Sequence, residues 1–126
     1  MLRTRVGTTS GKGRGVFAAE AIAAGELIEA APVLPIPGDE WDLLEETTLF
    51  DYCFAWGPEQ RDCCVALGHG SFYNHSYAPN ARFVRRLDDQ ALDFVARRDI
   101  APGEEITINY NEDQESAAPV WFDLAP

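Results

Sequence analysis

Three short stretches of this chain concentrate residue types that can bind or react. Gly70-Ser-Phe-Tyr-Asn-His-Ser-Tyr-Ala-Pro-Asn80 sets polar side chains among aromatics and closes on a Pro-Asn pair. Gly11-Lys-Gly-Arg-Gly-Val-Phe17 alternates glycines with cations ahead of a β-type pair, and Ile100-Ala-Pro-Gly-Glu-Glu-Ile-Thr-Ile-Asn-Tyr110 is a Pro-Gly turn feeding a strand that ends in tyrosine. His75 beside Ser76 suggests a base and its nucleophile. Adjacent residues in extended chain point to opposite sides, however, and the strained Gly-x-Ser-x-Gly elbow is absent, so that reading is discarded. Asn, Ser and Pro-Asn equally suit an ordinary turn through local side-chain to backbone hydrogen bonds. The glycine run lacks both the P-loop and the dinucleotide-binding spacing. Its glycines allow either a plain turn or a close approach of backbone to a ligand. A strand-end tyrosine is usually a core residue with a wet hydroxyl. On chemistry alone each stretch stays open.

The elements that must position them are mostly short strands, because glycines and prolines punctuate segments of β-type alternation. Glu26 to Ile36 reads as a strand with Pro32 and Pro35 at an edge or bulge. Phe50, Tyr52, Phe54 and Trp56 recur at period two, which predicts one aromatic wall on one strand face. Ala81–Arg86 and Leu92–Arg98 flank a polar turn and read as a hairpin. Ile106, Ile108 and Tyr110 share a face, so Tyr110 should be half buried. The best helix candidate runs from Asp39, as N-cap, to about Thr48.

At 126 residues, 46% apolar and 25% charged, the chain predicts one packed domain spanning 1–126. No apolar run approaches the ~20 residues of a membrane span, and Met1-Leu-Arg-Thr-Arg5 leads into polar sequence, so a cytoplasmic protein without membrane association is expected. The three cysteines, Cys53, Cys63 and Cys64, suggest reduced thiols and no metal site. A net charge of −11 argues against direct nucleic-acid binding and for a basic partner, although acidity also serves solubility. Lys12 is the only lysine. So small a core makes a homodimer a reasonable expectation.

Taken in order and spacing, the three stretches resemble the SET-domain family of protein lysine methyltransferases. Gly13-Arg-Gly-Val-Phe17 is similar to its glycine motif, Tyr73-Asn-His-Ser-Tyr-Ala-Pro-Asn80 to its Asn-His-Ser motif, and Gly103-Glu-Glu-Ile-Thr-Ile-Asn-Tyr110 to its closing tyrosine motif. The likeness covers about residues 5–110 and is closest in kind to the minimal bacterial and viral members. It implies a mainly β fold of several small curved sheets with a C-terminal pseudoknot and one or two short helices. It implies S-adenosyl-L-methionine as methyl donor, released as S-adenosyl-L-homocysteine, with no metal. By the same resemblance, Lys12, Gly13, Arg14, Gly15, Asn74, His75 and Tyr110 hold the donor. Trp121 or Phe122, in the tail over 111–126, covers its adenine. Tyr110 is the catalytic tyrosine, and Tyr52, Phe54, Phe72 and Tyr73 line a channel for the substrate lysine. The implied substrate is a basic protein or peptide, such as a histone, held by outlying carboxylates among Asp39, Glu40, Glu45 and Glu46 or Glu112, Asp113 and Glu115. The alternative is a catalytically weak module of the same fold that binds basic partners through an acidic groove. His69, which the motif does not require, is expected to be structural.

Overall fold

A computed structural model describes residues 2–111 and Gln114. The tail residues Glu112, Asp113, Glu115, Trp121 and Phe122 lie outside the described residues. Among those described, the strands in chain order are β1 (Thr4–Thr8), β2 (Arg14–Ala18), β3 (Leu27–Ile36), β4 (Cys53–Trp56), β5 (Asp62–Ala66), β6 (Asn74–His75), β7 (Ala81–Arg86), β8 (Ala91–Ala96) and β9 (Glu105–Ile108). One α-helix, α1 (Trp41–Glu45), stands between β3 and β4. The strands form a four-stranded sheet ordered β1-β2-β9-β6 and a five-stranded sheet ordered β4-β5-β3-β8-β7. No helix among the described residues is long and apolar enough to cross a membrane.

Alternation explains where the core sits. In β9 Ile106 and Ile108 are fully buried, and in β8 Leu92 and Phe94 are too. These side chains join Val16, Ala31 and Tyr73 in one cluster fed by both sheets. Phe94 stacks on Tyr73 with ring centroids 4.2 Å apart, so the Asn-His-Ser stretch is anchored by an aromatic pair directly before it. Gly70 sits at the same junction. A Cβ there would lie 2.5 Å from the Cβ of Ala66 and 3.0 Å from that of Ala31, so only glycine lets the chain turn into the site.

Three local expectations change. The helix is shorter than Asp39 to Thr48: Gly38–Glu40 is a 3-10 turn, and Asp39 makes no side-chain cap. Its acidic, amphiphilic run buries no residue, so packing does not prolong it. The single aromatic wall is broken, because Thr48–Tyr52 is 3-10 and only Cys53–Trp56 is strand. Phe50 instead packs edge-on to Trp41, Tyr52 to Phe72, and Phe54 to Phe83. The prolines sit in a strand that is central by order. Yet residues 27–32 of β3 pair with β8 and residues 33–36 with β5, so each half has one ladder partner and tolerates the missing N–H. The hairpin of β7 and β8 forms as expected, with Gln90 at φ 50° in its turn.

The decisive pairing is the smallest. β6 runs parallel to β9, matching Asn74 with Thr107 and His75 with Ile108. Asn80 secures it: its Nδ2 donates to the Glu105 carbonyl at 2.8 Å and its Oδ1 accepts from the Thr107 N–H at 2.8 Å. That side chain is 2% exposed. Asn80→Ala should therefore deprive two part-buried backbone groups of this partner and lower unfolding free energy by about 2 kcal/mol, measured by urea denaturation. A change within a few tenths of a kcal/mol would contradict this role.

Candidate active site

Two cavities meet at Tyr110. The larger, about 400 Å³, is walled by Lys12, Gly13, Arg14, Phe72 and Asn74, and the smaller, about 110 Å³, by Cys53, Phe54, Tyr73, Phe83 and Arg85. Tyr110, Tyr52, Asp51 and Ser71 line both.

Tyr110 follows β9 and is held from two sides. Its hydroxyl donates to the Tyr73 carbonyl at 2.6 Å, and its N–H donates to His75 Nδ1 at 2.9 Å. Because Nδ1 accepts, the ring proton of neutral His75 sits on Nε2. His75 is 2% exposed. Burial, and then the Lys12 cation, hold it below the usual histidine value, which keeps it in the neutral form that this hydrogen bond requires. Its side chain thus orients Tyr110, and the residue of β6 that reaches the larger cavity is Asn74.

Asn74 is itself tightly placed. Its Nδ2 donates to the Arg14 carbonyl at 3.0 Å and to Glu105 Oε2 at 2.8 Å. Glu105 in turn faces Lys12 Nζ at 3.6 Å. Gly15 lies beneath this group, and a Cβ on it would fall 2.6 Å from Glu105 Oε2 and 2.7 Å from Asn74 Nδ2. Gly13 has φ 73° and open space where a side chain would be. Gly13 and Arg14 therefore form an exposed backbone ledge beside a Lys-Glu-Asn network, a surface suited to a polar ligand, while Gly15 is buried under it and lines neither cavity. Arg14 turns its guanidinium over Phe72, 4.6 Å from the ring centroid. This places Phe72 on the larger cavity, whereas Phe54 and Tyr73 line the smaller and Tyr52 stands between them.

Several contributors were not singled out from the sequence. Glu105 was part of a motif but had no assigned partner. Glu29 accepts the Tyr73 hydroxyl at 2.7 Å and the His69 N–H at 2.9 Å from a distant strand. His69 Nδ1 also lies 2.7 Å from Thr4 Oγ1, which ties it to β1 and accords with a structural role. Arg85, from the hairpin, donates to the Ala55 carbonyl at 2.7 Å and lies over Phe83, so the smaller cavity carries a cation. Only the alternation of β7 hinted that one of its arginines turns inward.

The arrangement favours orientation over covalent chemistry. Burial pushes the Cys53 and Cys64 thiols up to about 12, which leaves them protonated and weakly nucleophilic. Burial, then Glu105 and Tyr52, raises Tyr110 above the ordinary phenol value, and burial with Glu29 raises Tyr73. Both hydroxyls should stay neutral past about pH 10. The near-ultraviolet phenolate signal lost in Tyr110→Phe is then expected only above the ordinary tyrosine range; a loss of signal at about pH 10 would contradict it.

The comparisons with known proteins agree with this geometry. Residues 13–111 match the SET domain family model. The chain is 34% identical over 116 residues to the histone-lysine N-methyltransferase, H3 lysine-37 specific, of Schizosaccharomyces pombe, covering 91% of this chain and 74% of that one. It is 33% identical over 102 residues to the Arabidopsis thaliana histone-lysine N-methyltransferase ATXR2, of whose length it spans 21%. A solved Plasmodium falciparum protein ascribed to the histone methyltransferases superposes with TM-score 0.71 at 28% identity, over 90% of this chain and 96% of that one. A family match over residues 13–111, together with a relative 34% identical over 116 residues, shows that this protein belongs to the SET-domain family of lysine methyltransferases.

Proposed function

We propose that this protein is an S-adenosylmethionine-dependent protein lysine N-methyltransferase acting on a basic protein or peptide of the histone type. The observation that carries the proposal is that Tyr110 is a common wall of the two cavities. Methyl transfer to an amine needs donor and acceptor to approach in line from opposite sides of one point.

The residues of the larger cavity fit the donor. The ledge at Gly13 and Arg14, set over the buried Gly15, would take its amino-acid end, with Lys12 facing its carboxylate and Asn74 its polar edge. When bound, the donor supplies an electrophilic methyl group on a sulfonium. Every other demand falls on the protein. The smaller cavity, walled by Tyr52, Phe54, Tyr73 and Phe83, would strip water from the lysine stem. Desolvation lowers an amine's pKa, and the Arg85 cation on the cavity wall works in the same direction, so the neutral nucleophile is favoured. Asp51, which would oppose this, is exposed at the rim, where water screens it. The Tyr110 hydroxyl, neutral and fixed by the Tyr73 carbonyl, would orient the amine where the cavities join. We extend the proposal to a cytoplasmic homodimer, supported by the free cysteines Cys53, Cys63 and Cys64 and the modest core.

Purified protein incubated with methyl-labelled S-adenosylmethionine and histones or basic host proteins should label lysine. Tyr110→Phe should keep the thermal shift produced by the donor while turnover falls at least tenfold. A thermal shift without labelling of any protein would favour the binding-module alternative. Equal turnover in Tyr110→Phe would remove the tyrosine from the mechanism.

A further inference from the structure

A third cavity, of about 170 Å³, lies along β4. Its walls are Trp41, Phe50, Cys53, Phe54, Ala55 and Cys63, with the exposed Asp51 at its edge. It shares Asp51, Cys53, Phe54 and Ala55 with the smaller of the two cavities at Tyr110, and only Asp51 with the donor cleft. It therefore adjoins the proposed lysine channel but is not lined by Tyr110. The surface is built by the part of the sequence that departs most from regular structure. The 3-10 turn over Thr48–Tyr52 swings Phe50 out of the strand and against Trp41, with centroids 5.3 Å apart at 77°. Neither ring is fully buried. β4 is also the terminal strand of its sheet, so no further strand of the described chain covers it.

Charge around this cavity is negative. Burial is the chief reason the Cys63 thiol sits above its ordinary value, and the nearby carboxylates of Asp62 and Glu40 add to it. Asp42 and Glu45 are exposed on α1, which contributes Trp41 to the wall. An apolar socket inside an acidic rim suits a basic peptide that carries one apolar side chain close to its target lysine.

Resting on the methyltransferase reading, we infer that the Trp41–Phe50 cavity is a specificity subsite that takes an aliphatic or aromatic side chain two residues from the target lysine. The interval follows from the extended chain. Side chains alternate, so the nearest residue on the lysine's own side is two positions away, about 7 Å along the strand. Continuity with the lysine channel makes the substrate itself the occupant, since its backbone must pass this wall when the lysine is inserted.

The test is a degenerate peptide library with one fixed lysine in a basic background, methylated by wild-type protein, Trp41→Ala and Trp41→Phe. Wild type should enrich Leu, Ile, Met or Phe two positions from the lysine. Trp41→Ala should lose that enrichment while its rate on peptides with Ala at that position stays within about twofold of wild type, and Trp41→Phe should recover it in part. For a single peptide bearing Leu there, Trp41→Ala should raise KM about tenfold with kcat little changed, the signature of lost binding away from the reacting atoms. Enrichment that persists in Trp41→Ala, or methylation indifferent to every flanking residue, would overturn the subsite and leave the methyltransferase reading intact. No methylation of any library member by wild type would overturn both.

Discussion

The site depends on one short parallel contact. β6 has two residues, Asn74 and His75, and parallel pairing brings no local turn to stabilise it. Asn80 supplies what a longer ladder would, hydrogen-bonding the Glu105 carbonyl and the Thr107 N–H from inside the fold. Tyr110 closes the other end, with its N–H on His75 and its hydroxyl on the Tyr73 carbonyl. These bonds join residues 73–80 to residues 105–110. Each polar group that looks functional in the sequence is thus first a fastener, and the cavities exist because these fasteners hold two distant segments edge to edge.

How much of this was legible in the sequence varies with the range of the interactions. The period-two runs of β7, β8 and β9 were readable because alternation is a local property, and the buried Ile106 and Ile108 follow from it directly. The aromatic series Phe50 to Trp56 showed the same period and misled. A 3-10 turn through Tyr52 sends the rings to separate partners, Trp41, Phe72 and Phe83, and spacing cannot reveal a change of backbone conformation halfway through a run. The residues at Tyr110 were identified by motif. Their geometry was not readable, since Glu29, Arg85 and Glu105 reach the site from strands paired with it only in three dimensions. His75 shows the difference well: it belongs to the motif, but its ring serves the Tyr110 backbone, while its neighbour Asn74 faces the cleft.

On the proposed function an acidic protein needs its substrate lysine neutral, which is an electrostatic problem, and the placement of the described carboxylates bears on it. Among the described residues, three lie close to the two cavities. Glu29 is engaged by the Tyr73 hydroxyl and the His69 N–H. Glu105 is met by the Lys12 ammonium and the Asn74 amide. Asp51 alone lines both cavities, and it is exposed. The two inner charges are thus spent on donors of the protein itself, and the outer one is diluted by solvent. The wall of the smaller cavity also carries the Arg85 guanidinium, which donates to the Ala55 carbonyl and whose charge disfavours an ammonium placed beside it. On the proposed function, the net charge of −11 would act over long range to gather basic chains without protonating the group that reacts, because attraction is set by the whole surface and pKa by the nearest few ångströms.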